Sequence, residues 1–214
     1  MTDINRRSLV RGAVSVIPAA VALTMLGQKW AFAQGETFAD DLDILNYALT
    51  LEYLEAEFYR QGNETDLLEG KEATYLGQIG ADEAAHVAAL TETIMMLGGT
   101  PVPAPGVDFA MAFASRESYL ETAFTFENLG VSAYLGAAGS IQNKEILTAA
   151  ASIFGVEARH AAIIGQLRGL PAEGGVYMSA FETPLPRPDV LAAAGPFITT
   201  PSAPAVSDAA AATY

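Results

Sequence analysis

The chain holds only two histidines, and each stands three residues after a glutamate, in Glu83-Ala84-Ala85-His86 and Glu157-Ala158-Arg159-His160. Residues three apart on an α-helix share a face, so each motif can aim a carboxylate and an imidazole into one space. Two more glutamates complete the pattern. Glu52 precedes Glu83 by 31 residues and Glu127 precedes Glu157 by 30, spacings that let a chain climb one helix, turn and return to the same depth. The halves repeat with an offset near 75: Leu51-Glu52-Tyr53-Leu54 followed by Tyr59 matches Phe126-Glu127-Asn128-Leu129 followed by Tyr134.

Each group sits on an apolar stripe at helical spacing. Asp40 and Asp41 can cap a first helix carrying Leu42, Leu45, Leu49, Glu52, Ala56 and Tyr59, which Gly62 and Asn63 end. A second helix is expected to start at Thr65 or Asp66 and to run to about Leu97, with Leu76, Ile79, Glu83, His86 or Val87, Leu90, Ile94 and Leu97 inward. Gly77 and Gly80 weaken it locally but permit a neighbouring helix to approach closely. The proline-rich stretch from Thr100 to Gly106 cannot continue a helix and can cross one end of a bundle. A third helix is predicted from Ser115 to about Ala138, with Leu120, Phe124, Glu127, Val131 and Tyr134 on one face. The fourth, ending at Gly169, aligns Ile146, Ala150, Ile153, Glu157, His160, Ile164 and Leu167.

Four amphipathic segments, none able to bury its face alone, predict an all-α four-helix bundle over residues 38–170, with a long crossover between helices 2 and 3. Prolines at 171, 184, 186, 188, 196, 201 and 204 exclude a fifth long helix. The C-terminal extension is therefore expected to be irregular: residues 171–200 as a strap on the bundle and residues 201–214 as a flexible tail.

At one depth of this bundle the pattern brings together Glu52, Glu83, His86, Glu127, Glu157 and His160. Four buried carboxylates without partners would repel one another and be costly to desolvate. Two divalent cations supply four positive charges and leave the imidazoles neutral, so these six residues are the predicted ligands of a two-metal site. Carboxylate and imidazole without sulfur suit iron or manganese better than a thiolate zinc site. Glu55 and Glu57 lie off the Glu52 stripe, and their repeat partners are Gly130 and Ser132, so both are expected to be solvated or secondary. Asp82 either orients a histidine of a neighbouring helix or serves as a surface acid. Tyr59 and Tyr134 are expected to be core aromatics that hydrogen-bond to carboxylates, and Arg159 to point sideways.

Charge and cysteine content narrow the partners. A formal charge of -14 opposes nucleic-acid binding, because no basic surface could neutralise phosphates. The absence of cysteine excludes disulfides and thiolate chemistry. Residues 1–33 differ from the rest: Asn5-Arg6-Arg7-Ser8-Leu9-Val10 resembles a twin-arginine export motif, followed by an apolar segment and Ala31-Phe32-Ala33 as a cleavage site. The expectation is a signal segment recognised by the twin-arginine export machinery, and a protein placed in the periplasm or cell envelope.

These motifs resemble the ferritin-like superfamily. Leu45-Asn46-Tyr47-Ala48-Leu49, Leu51 to Tyr59, Asp82 to His86 and Gly130 to Ala138 are more particularly similar to exported, desiccation-related ferritin-like proteins. The resemblance implies Glu52 and Glu127 as outer carboxylates, Glu83 and Glu157 as bridging, catalytic carboxylates, and one histidine per metal. It favours iron over manganese and an oxidoreductase or ferroxidase-like activity on oxygen or peroxide, with an external reductant. A dimanganese catalase and a non-catalytic, metal-stabilised stress protein are the alternatives. A homodimer is compatible with the sequence; a closed storage cage has no positive support in it.

Overall fold

The computed structural model describes residues 38–175 and 179–199. The twin-arginine segment, residues 1–33, and the tail, residues 201–214, lie outside them. Four long helices form the bundle: α1 Asp41–Gly62, α2 Gly70–Met96, α3 Arg116–Ala138 and α4 Lys144–Leu167. They pack chiefly as two pairs, α1 on α2 and α3 on α4, with α1 also against α3 and only a sparse contact between α2 and α4.

Local chemistry sets the helix ends. The Asp40 carboxylate accepts from the Asp43 amide at 2.9 Å. Ser115 and Ser118 form a reciprocal capping box at the start of α3, and Asn143 caps α4 through the Glu145 amide. The second helix departs from the sequence expectation at both ends, starting at Gly70 rather than at Thr65 or Asp66 and leaving Leu97, expected inward, exposed just past its end at Met96. The Thr65 hydroxyl donates back to the Gly62 carbonyl at 2.6 Å, and Asp66 takes a left-handed φ of 55°. Both residues therefore close α1 instead of opening α2. Of the two glycines inside α2, beyond its first residue, Gly80 lies against α1: a Cβ there would fall 2.9 Å from the Tyr59 Cβ, whereas Gly77 faces open space.

Two apolar clusters fill the bundle. One is centred on Phe58, whose ring lies 5.0–5.3 Å from those of Tyr59, Phe109, Phe113, Tyr119 and Phe126. The other joins Leu45, Leu49, Leu90, Ile94, Ile146 and Ile153. Along α1 the second cluster takes Leu45, Ala48 and Leu49 and the first takes chiefly Leu54, Phe58 and Tyr59, with Tyr47 and Leu51 reaching it as well. Along α2 the order reverses, from Leu76 and Ile79 to Leu90 and Ile94. The residues between these two apolar blocks form one polar layer, containing Glu52 on α1 and Glu83 and His86 on α2.

The crossover from α2 to α3 carries a two-residue strand, β1 Gly106–Val107, and a 3-10 turn at Ala110–Phe113. After a single turn at Pro171–Gly174, the C-terminal stretch forms one short helix, α5 Arg187–Ala194, and a strand, β2 Ile198–Thr199, antiparallel to β1. Val190 and Ala194 of α5 are fully buried in the Phe58 cluster. The Leu185 amide donates to the Ser132 carbonyl at 3.1 Å. Arg187 pairs with Asp43 at 3.0 Å and lies over the rings of Phe38 and Tyr47. The strap thus ties the crossover, α3 and the start of α1 together.

Candidate metal centre

All six predicted ligands meet in the polar layer, and all are buried. Their ligand atoms fall into two groups, each within 4.8 Å: Glu52, Glu83, His86 and Glu157 in one, Glu83, Glu127, Glu157 and His160 in the other. Glu83 and Glu157 belong to both. The two imidazole rings lie 6.4 Å apart, one in each group.

The histidines turn Nδ1 inward. His86 Nδ1 is 2.9 Å from Glu83 Oε2, 3.2 Å from Glu52 Oε2 and 3.2 Å from Glu157 Oε1. A single N–H cannot serve three carboxylates, so the convergence of oxygens exceeds what the protein's own donors can satisfy. His160 Nδ1 is likewise 2.8 Å from Glu83 Oε1 and 3.2 Å from Glu127 Oε2. Glu83 Oε1 and both oxygens of Glu157 are buried without a properly directed hydrogen bond from the described residues. Buried polar atoms of this kind are normally paired, and hard anionic oxygens beside neutralisable imidazoles are a donor set that fits divalent cations. The residues present therefore fit the group that the sequence pattern implies.

Neighbouring side chains hold the layer in place. Tyr59 on α1 donates its hydroxyl to Glu127 on α3, and Tyr134 on α3 donates to Glu52 on α1. The two halves of the repeat thus brace each other's glutamate. On the outer side, His160 Nε2 lies 3.2 Å from Asp82 Oδ2, and Gln78 donates to the other Asp82 oxygen at 2.9 Å. Of the two roles open to Asp82 in the sequence, the structure shows the orienting one. Arg159 is exposed, beside the layer rather than in it.

Of the two readings of Glu55, solvated or secondary, the first is overturned and the second holds: it is 4% exposed and its carboxyl joins the buried acids, but it belongs to neither group of ligand atoms. A Cβ on Gly130 would fall 3.0 Å from Glu157 Oε2 and 3.4 Å from Glu55 Oε1, which places both carboxyls around that glycine. The Glu52-to-Glu55 step is the same three-residue step that unites Glu83 with His86, so the signal was present in the sequence. Glu57, by contrast, pairs at the surface with Arg60 at 2.7 Å.

Without metal the layer is held together by protons. Burial pushes Glu52 up to about 7, with contacts from His86 opposing. Burial likewise pushes Glu157 up to about 7. Burial, then the charges of the surrounding glutamates, raises Glu55 well above the usual carboxylate range. Burial also raises Glu127, against the pull of His160. For Glu83 burial acts upward too, but contacts with His160 and His86 outweigh it and hold the carboxyl at about 2. Burial disfavours charge on the imidazoles, yet the facing carboxylates overcome it and lift His86 to about 12 and His160 to about 11. Two imidazoliums and several shared protons thus stand where cations would otherwise compensate the carboxylates.

Fold and site together define a helical bundle with a buried carboxylate and imidazole layer able to bind metal ions. Residues 40–170 match the ferritin-like domain family, and the chain belongs to it. No curated protein matches the chain.

Proposed function

We propose that the layer is a two-metal carboxylate centre, with iron as the native metal, and that the protein consumes oxygen or peroxide as an oxidoreductase of ferroxidase-like type. The carrying observation is that Glu83 and Glu157 are common to both groups of ligand atoms, each with a buried oxygen left without a directed donor. In this reading Glu83 and Glu157 would be shared by the two metals, Glu52 and Glu127 would each serve one, and His86 and His160 would give one nitrogen to each. A pair of redox-active metals, when bound, would supply two electrons to the oxidant from an external reductant.

The chain's own residues set the conditions for that chemistry. Tyr59 and Tyr134 fix the outer carboxylates across the bundle, and Asp82 fixes the ring of His160. The apolar clusters on either side exclude bulk water from the layer and strengthen every charge interaction inside it. The Asn5-Arg6-Arg7 motif supports export to the periplasm or envelope in folded form, and the residues around Glu52 and Gly130 support a place among desiccation-related ferritin-like proteins.

The test is anaerobic loading with ferrous iron, two equivalents per chain, followed by oxygen or peroxide under optical observation. Oxidation much faster than in solution, and lost in Glu83→Ala, is the expected result. Slow, solution-like oxidation that Glu83→Ala leaves unchanged overturns the reading. Manganese in the purified protein together with rapid oxygen release from peroxide replaces iron by a dimanganese catalase.

A further inference from the structure

Beside the polar layer, toward the α1 N-terminus, the bundle is not closed between α2 and α4, where Ala89 and Ala149 are exposed. A narrow cavity of about 60 Å³ is lined from all four helices. Its wall includes Ala48 of α1, Ala89 of α2, Ala133 and Ala137 of α3, and Ala149 and Ala150 of α4. Methyl side chains facing one another across the bundle leave a gap that larger residues would close, and α2 and α4 scarcely touch there. The inner end reaches Leu51 and Tyr134, the residue that holds Glu52; the outer end lies at Ile141 and Ile146.

Shape and chemistry restrict what could enter. The lining on α1 runs from Ile44 to Leu51, about 10 Å of helix axis at ~1.5 Å per residue, so the volume is spread thinly along the bundle. The wall is almost wholly apolar, and cavities of that kind take up apolar guests rather than water. Three hydroxyls interrupt the wall: Thr93 donates to the Ala89 carbonyl and Tyr134 to Glu52, whereas Tyr47, 5% exposed, buries its hydroxyl without a hydrogen-bond partner among the described residues. The wall holds no cationic side chain, so a charged head group entering it would lose its hydration without replacement.

We propose that this cavity binds an unbranched, neutral hydrocarbon chain bearing a single hydrogen-bonding oxygen, which the Tyr47 hydroxyl engages. The chain lies along the bundle axis, with its inner end against Tyr134 and hence next to the candidate metal centre. The site goes beyond the metal reading and does not depend on it, because binding is measurable with the metal absent.

The experiment titrates the full-length protein, metal-free and metal-loaded, with 1-hexanol, 1-octanol, cyclohexanol and octanoate. Binding is followed by methyl NMR shifts of Ala48, Ala137 and Ile153. Octanol is expected to bind one to one and roughly tenfold more tightly than hexanol, at about 0.8 kcal/mol for each added methylene. Cyclohexanol and octanoate bind at least tenfold more weakly than octanol. Tyr47→Phe weakens octanol, while Ala137→Leu and Ala150→Leu, which fill the gap, abolish its binding. Ala150 is only half-buried, so Ala150→Leu decides the matter if Ala137→Leu does not fold. Equal binding of all four probes, or unchanged octanol binding in a correctly folded Ala150→Leu, overturns the proposal. Because metal stoichiometry is measured separately, failure of the metal reading and failure of the cavity reading are distinguishable.

Discussion

Glu55 and Gly130 occupy equivalent positions in the two helix pairs, and the Glu55 carboxyl lies in the space that the absent side chain of Gly130 leaves beside Glu157. The repeat is therefore symmetric in its six candidate ligands and asymmetric in the acids around them. Four carboxylates would balance two divalent cations, and burial favours the neutral form of the fifth acid, Glu55.

That asymmetry makes Glu55→Gln informative. The amide keeps the shape but removes an ionisable group that folding holds far above its ordinary pKa. A raised folded-state pKa stabilises only below the unfolded value and costs stability as pH rises. Glu55→Gln should therefore stabilise the metal-free protein near pH 8 and change it little near pH 4. Urea denaturation at the two pH values checks this, and equal shifts at both would contradict it.

Gly130→Ala probes the other half of the pair. Alanine favours the helix by about 1 kcal/mol over glycine, but its methyl would press on Glu157 Oε2 at 3.0 Å. The expected result is a protein that melts no lower than wild type when metal-free and yet takes up metal more weakly. Metal titration beside thermal melting separates the two effects.

Much of this arrangement was legible in the sequence, because its signals are local and periodic. The three-residue steps of Glu83 to His86 and Glu157 to His160, and the repeated Tyr seven residues after Glu, specify helix faces without tertiary information. The burial of Glu55 escaped because the repeat does not signal it, although its place outside the six ligands is signalled. Its partner Gly130 suggested an unimportant position, when the glycine was the room into which the acid fits. The start of α2 escaped for a different reason: Thr65 and Asp66 have the side chains of an N-cap, and only backbone geometry shows that they close the preceding helix. The pairing of β1 with β2 joins residues some 90 apart with no periodic signal to join them.

The crossed tyrosines predict matched effects. Tyr59→Phe deprives Glu127 of a donor and Tyr134→Phe deprives Glu52, each leaving a buried carboxyl oxygen short of a partner. Each substitution should cost about 1–3 kcal/mol by chemical denaturation. A large loss in one and none in the other would show that the two halves do not brace each other equally.

Asp82 acts on the site only through His160, so Asp82→Ala should weaken metal binding by roughly 10–100-fold while leaving the number of sites unchanged. Glu92→Ala, an exposed acid on the same helix, is the control and should do nothing. Competition against a chelator of known affinity measures both. Loss of an entire equivalent in Asp82→Ala would assign Asp82 a direct place in binding instead.

The protonated state of the layer fixes how metal and pH act together. Glu52 and Glu157 have folded pKa values raised to about 7, so their contribution to metal-free stability is complete below about pH 4.5 and is lost as pH climbs through 7. His86 and His160, raised to about 12 and 11, continue the decline from about pH 6.5 upward. Glu83, lowered to about 2, opposes this only at acid pH, where its contribution is lost as pH falls. Cations must displace the protons to reach the carboxylates and imidazoles, so metal binding releases protons and strengthens with pH. The melting temperature of metal-free protein should fall from pH 5 to pH 8, and the increase produced by saturating metal should grow over the same range. Calorimetric titrations in two buffers of different ionisation enthalpy should register the released protons. A metal-induced rise in melting temperature that stays constant from pH 5 to pH 8, with no buffer-dependent heat, would place the cations somewhere other than this layer.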